Sequence, residues 1–223
     1  DFFGIHIFSL DSGPMDVTTE DVPDGTGEQF TMTGICIRGT YARRLTDRLR
    51  VGFTGKFIRE DIHTTYLQTV AFDIGSNFNT GIYGFVLGMS VTNLGPEAKY
   101  GGEGLKVTDE WAEEHGELAN ETEWYSLPMT FRLGVMNELV GPNSEFIKNK
   151  NHKLLIAMDG INSRDYTLYG TMGLEYAWRD IAYIRLGNRF GHDTAKWSVG
   201  GGFDINGTTF RAGLDYAYVN YSI

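Results

Sequence analysis

Large apolar residues alternate with polar or very small ones along almost the whole chain. The stretch GLEYAWRDIAYIRLGNRFG (173–191) shows the pattern. Successive side chains of a strand point to opposite faces. Leu174, Tyr176 and Trp178 therefore share one face, with Gly173, Glu175 and Ala177 on the other. Beyond Arg179-Asp180, Ala182, Ile184 and Leu186 oppose Tyr183, Arg185 and Gly187. The same period of two predicts eleven strands, over 2–10, 28–45, 48–61, 67–79, 82–93, 127–138, 152–160, 166–178, 181–190, 195–206 and 208–219. Most approach or exceed the ~10 residues that a tilted membrane strand needs, whereas ordinary globular strands peak near ~5–6.

The connections carry a second signal. Short turns are expected at Thr46-Asp47, Thr80-Gly81, Arg179-Asp180 and Asn206-Gly207, and Asn-Gly is a strong two-residue hairpin signal because both residues tolerate positive φ. Longer links are expected at 11–27, 62–66, 94–126, 161–165 and 191–194. Alternation of short turns with longer loops is the habit of an up-and-down outer-membrane barrel. The link 139–151 breaks the alternation, being long where a short one is due. With no linker dividing the chain, 1–223 reads as one domain.

Two faces follow. One carries isolated charges among glycines: Arg38, Lys56, Asp73, Arg132, Glu175, Arg185, Arg189, Arg211 and Asp215. In a narrow barrel these would face the lumen, where glycines give room and acids pair with bases, since an unpaired buried charge is costly. Glu175 and Arg185 flank the Arg179-Asp180 turn and are expected as near cross-strand neighbours. The other face carries Phe53, Phe57, Phe85, Leu87, Leu174, Tyr176, Trp178, Leu214 and Tyr216, expected to face lipid, with Tyr and Trp near strand ends as interfacial girdles. A cross-strand aromatic ladder in a soluble sheet would give a similar pattern.

Charge and composition narrow the chemistry. The net charge of −10 argues against a nucleic-acid partner. Much of it sits in one link, where Glu103, Asp109, Glu110, Glu113, Glu114, Glu117, Glu121 and Glu123 face Lys106 alone. That link reads as a solvated acidic outer loop within 94–126; its spacing lacks the calcium-loop pattern. The single cysteine, Cys36, excludes an intrachain disulfide and suits a small neutral strand residue. His6, His63, His115, His152 and His192 form no metal-binding spacing, and Gly-x-Ser-x-Gly is absent. No catalytic residue, metal site or cofactor is therefore assigned. Gly200-Gly201-Gly202 is read as a place of strand curvature or close packing. No run of ~18 apolar residues predicts a membrane helix.

Six segments, taken in order, carry a resemblance: TYARRLTDRLRVGFTGKFIRE (40–60), AFDIGSNFNTG (71–81), SVTNLGPEAKY (90–100), LPMTFRLGV (127–135), GLEYAWRDIAYIRLGNR (173–189) and FRAGLDYAYVNY (210–221). Together the chain resembles the PorV/PorQ-like branch of the FadL-type outer-membrane β-barrel superfamily. The resemblance implies an all-β, antiparallel up-and-down transmembrane barrel of about fourteen strands. The eleven expected here then make the chain a fragment truncated at both ends, without a signal peptide or the N-terminal plug that such transporters use as a ligand path. It further implies a place in the bacterial outer membrane, with outer-membrane lipid, and secretion-system subunits or exported cargo, as partners. The functional expectation is a non-enzymatic PorV-like component of type IX secretion or a FadL-like channel for hydrophobic solutes. A soluble β-sheet interaction or adhesin-type module, or an outer-membrane hydrolase, is the alternative.

Overall fold

The alternation becomes strand over most of the described residues. A computed structural model describes residues 1–18, 21–105, 122–206 and 211–221, the side chains of Ala195, Asn206 and Arg211 excepted. The long strands are β1 (Phe2–Asp11), β4 (Met32–Arg44), β5 (Leu49–Ile62), β6 (Thr65–Asn79), β7 (Val86–Leu94), β9 (Thr130–Gly141), β11 (His152–Ser163), β12 (Tyr166–Trp178), β13 (Ala182–Phe190), β14 (Ala195–Asn206) and β15 (Arg211–Tyr221). Four two-residue strands, β2 (Met15–Asp16), β3 (Gln29–Phe30), β8 (Gly101–Gly102) and β10 (Ile147–Lys148), complete the set. Thirteen of these strands form one sheet in the order β1-β4-β5-β6-β7-β9-β11-β12-β13-β14-β15, with β10 on β9 and β8 on β6. The order follows the chain, as in a strand meander.

By their contacts the residues group into two compact units. The first comprises Asp1–Ala42, Phe53–Asp73 and Asn93–Leu127. In it β1 pairs antiparallel with β4, from Phe2 opposite Ala42 to Asp11 opposite Thr33. The link after β1 forms a small ribbon of its own, with Met15 opposite Phe30. The second comprises Arg43–Gly52, Ile74–Thr92 and Pro128–Ile223. It holds the antiparallel run from β7 to β15, in which Gly88 faces Gly134, Asp159 faces Gly134 and Thr171, and Glu175 faces Arg185.

Burial is inverted relative to a water-soluble sheet. Among the described residues the buried hydrophobics are Ala71, Ala98, Ile161 and Ala177, and the buried polar ones are Thr69, Asn137 and Ser144. Phe3, Ile5, Leu168, Leu214 and Tyr216 are instead exposed. A soluble monomer seldom exposes a contiguous apolar surface of this extent. A strand-built membrane protein presents such a surface to lipid.

Several boundaries differ from expectation. The link before β7 is longer than Thr80-Gly81: Tyr83 and Gly84 adopt positive φ, and Phe85 N–H bonds the Ile82 carbonyl at 3.0 Å, so the strand starts at Val86 rather than 82. Two links expected to be long are tight, because β5 and β11 run on to Ile62 and Ser163 and leave 63–64 and 164–165 as the turns. The regular contrast of short turns with long loops is therefore weaker than the sequence suggests. Arg179 and Asp180 do form a turn, both at φ 54°. Gly207, and the acidic residues Asp109, Glu110, Glu113, Glu114, Glu117 and Glu121, lie outside the described residues.

Candidate functional site on the polar face

On β5 and β6 the residues whose side chains meet on the polar side are Lys56 and Asp73. Lys56 Nζ lies 2.7 Å from Asp73 Oδ1 and donates to Asn93 Oδ1 at 2.8 Å. The Asn93 backbone N–H closes the triangle on Asp73 Oδ1 at 2.9 Å. Asn93 stands at φ 59°, a left-handed conformation that asparagine tolerates better than most residues. The lysine side chain is only 9% exposed and the aspartate 22%. Nearby on the same sheet, Thr40 and Thr54 share a hydroxyl hydrogen bond at 2.9 Å. Arg38 sits opposite His6 of β1, half-buried, with its Nε buried and unbonded. Cys36, opposite Phe8, is partly exposed.

The second charge cluster spans four strands. Arg185 on β13 faces Glu175 on β12 directly, and its Nε donates to Glu175 Oε2 at 2.7 Å. Its Nη1 also reaches Asp215 on β15, past β14. The crossing is possible because the β14 residue opposite Arg185 is Gly200 and the one opposite Asp215 is Gly202. A Cβ on Gly202 would collide with the Asp215 carboxylate. The triple glycine is thus a place of close packing. The same device recurs at Gly134, where a Cβ would strike the Asp159 carboxylate.

Within the second unit, a cleft of about 310 Å³ is lined by Arg132, Asp159, Tyr169, Thr171, Arg189 and Ser198, among others. Thr171 Oγ1 donates to Asp159 Oδ2 at 3.3 Å. Arg189 faces Thr171 and Arg132 faces Ile161 and Ser90, which places both guanidiniums on the polar side of their ladders. Arg211 lies in β15, and its side chain is outside the described residues.

The apolar candidates alternate with these polar residues along their strands. Phe53 stacks on Phe72 with ring centroids 5.5 Å apart. Leu174 faces Leu186, Tyr176 faces Ile184, and Leu214 faces Phe203. Phe53, Phe57, Phe85, Leu87, Tyr176, Trp178, Leu214 and Tyr216 are exposed, and Leu174 is half-buried. Periodicity passed over Asn93, Asp159 and Thr171. Asp159 could have been found from its place on the same face as Ala157, in a strand otherwise rich in aliphatics. Asn93 gains its role from a backbone twist that side-chain alternation does not register.

Among the described residues no group of three or more His, Cys, Asp or Glu converges on a metal position. His152 Nδ1 meets the Tyr176 hydroxyl at 2.6 Å, and His63 packs edge-on against Phe30. In the link after β7, the Tyr100 hydroxyl donates to Glu60 near the end of β5. Burial first, and then this bond, push its pKa up to about 12.

No protein-family model matches the chain. No curated protein sequence matches it either. Among solved structures the chain is similar to that of the Pseudomonas putida toluene transporter TodX, with a TM-score of 0.50 and 10% sequence identity, over 96% of this chain and 72% of that one. At this identity the likeness is one of fold: a large antiparallel sheet resembling a FadL-type barrel. It gives no support to the narrower PorV/PorQ branch.

Proposed function

We propose that this chain is the wall of a bacterial outer-membrane transport barrel, non-enzymatic, which admits hydrophobic solutes. The observation that carries the reading is the inverted burial, with Phe, Leu and Tyr outside and Lys56–Asp73 and Glu175–Arg185–Asp215 on the opposite face. An apolar belt over a paired polar interior is what a strand-built channel needs. The likeness in fold to a toluene transporter adds to it. Uptake of radiolabelled toluene by cells carrying the protein tests the reading. Faster entry than in cells lacking it, with the protein recovered in the outer membrane, is the expected result; recovery in the soluble fraction would overturn it. A PorV-like role in protein secretion rests on the order of the six sequence segments alone. Its test is co-purification of exported proteins with the barrel.

A further inference from the structure

The link expected at 139–151, which breaks the rhythm of short turns, spans 142–151 because β9 runs on to Gly141, and transport gives it no task. It is a built structure. Pro142 takes the second place of a turn closed by the Ser144 N–H on the Gly141 carbonyl at 3.4 Å. Ser144 is buried; its hydroxyl donates to the Leu139 carbonyl at 2.8 Å and accepts the Phe146 and Ile147 N–H groups at 3.0 and 3.1 Å. Asn149 Oδ1 in turn accepts from the Asn151 and His152 N–H groups. The Asn151 carbonyl receives the Arg179 N–H at 2.7 Å, tying the link to the neighbouring turn.

What this scaffold holds out is apolar and basic. Phe146 and Ile147 are 53% and 57% exposed. Phe146 stacks on Tyr83, whose carbonyl is held by Asn137 Nδ2 at 2.8 Å. Trp178 and Tyr176, on the apolar side of β12, continue the aromatic surface, and the Arg179 guanidinium lies over the Trp178 ring at 5.4 Å. Lys148 and Lys150 follow, both exposed. Of the other charges nearby, Glu138, Glu145 and Lys153 line the adjoining cleft with Arg48 and Tyr83, and Asp180 adjoins Arg179. Two free lysines beside an aromatic collar stand out in a chain of net charge −10.

We infer that the 142–151 link is a membrane-surface anchor that binds the headgroups of anionic phospholipids, with Phe146 and Ile147 seated at the acyl boundary and Lys148 and Lys150 on the phosphates. The inference rests on the membrane-barrel reading. Aromatic rings favour the depth of the headgroups, and a basic cluster beside them draws anionic lipid to the surface. Charge complementarity and continuity with the exposed apolar face select a lipid surface as the occupant. Preformed hydrogen bonds mean that little ordering opposes binding.

The test is association of spin-labelled phosphatidylglycerol and phosphatidylcholine with the protein reconstituted in vesicles, read by electron paramagnetic resonance. The wild type should prefer phosphatidylglycerol, and each lysine should contribute about fivefold at a bound headgroup. The double variant Lys148→Gln/Lys150→Gln should lose the preference. Lys99→Gln, in a different link, should keep it. Protein that inserts yet shows no preference, or a double variant that keeps it, overturns the inference alone. Protein that does not insert overturns the membrane reading beneath it as well.

Discussion

The two charge clusters use the same chemistry in different surroundings. Lys56 is nearly enclosed at 9% exposed and Asp73 partly so at 22%, and Asn93 bonds to both. Arg185 stands 39% exposed between Glu175 at 29% and Asp215 at 64%. Enclosed charges depend on one another, because removing one leaves the other desolvated without compensation. Exposed charges interact weakly and are screened by salt. The first cluster is therefore a structural clamp. The second is a more exposed polar surface whose groups can also hydrogen-bond water.

The sharpest way to break this comparison is to remove one acid from each cluster. Asp73→Ala should destabilise by about 3–5 kcal/mol, the cost of stranding a buried charge, measured by urea titration of the folded form in detergent. Asp215→Ala should cost about 1 kcal/mol or less, and less still at high salt. Equal losses would show that the difference in burial has no energetic meaning. Next in size is Leu174→Arg, expected to cost roughly 2–4 kcal/mol if it lies near the bilayer midplane. Glu175→Gln, one residue along and on the opposite face, should be milder in the same titration.

The glycine device gives a subtler test. Gly202→Ala puts a methyl where the exposed Asp215 carboxylate rests, so it should displace that carboxylate at a cost of about 1 kcal/mol or less. In an Asp215→Ala background the penalty should largely vanish, and a double-mutant cycle reads the coupling. The smallest effect concerns Tyr100. Its pKa is raised in the folded state from the ordinary 10.0 to about 12, so the folded state favours the neutral phenol. The associated stabilisation is complete below pH 10 and is lost as pH rises toward 12. Ultraviolet titration of phenolate should show one late-ionising tyrosine that Tyr100→Phe removes.

Much of the fold was legible because a strand with two chemically distinct faces writes its period into the sequence. Glu175 and Arg185 lie in one tight hairpin, so counting outward from Arg179-Asp180 brings them opposite each other. The exceptions arise where the backbone departs from that period. Tyr83 reads as the next outward residue of a strand, yet its positive φ places it in a turn. Asn93 joins Lys56 and Asp73 through a left-handed backbone, and Asp215 joins Arg185 across an intervening strand of glycines. Such contacts depend on strand order, which the alternation of side chains does not encode.

The central claim is that the apolar face meets lipid and the charged face meets water. The single native cysteine makes it directly testable in a Cys36→Ser background. Single cysteines at Leu174, Glu175, Tyr176, Ile184, Arg185 and Leu186 would be challenged, in reconstituted protein, with a water-soluble maleimide and with a lipid-phase one. The account predicts aqueous labelling at positions 175 and 185 and lipid-phase labelling at 174, 176, 184 and 186. Aqueous labelling of both sets alike, or the reverse assignment, would contradict it.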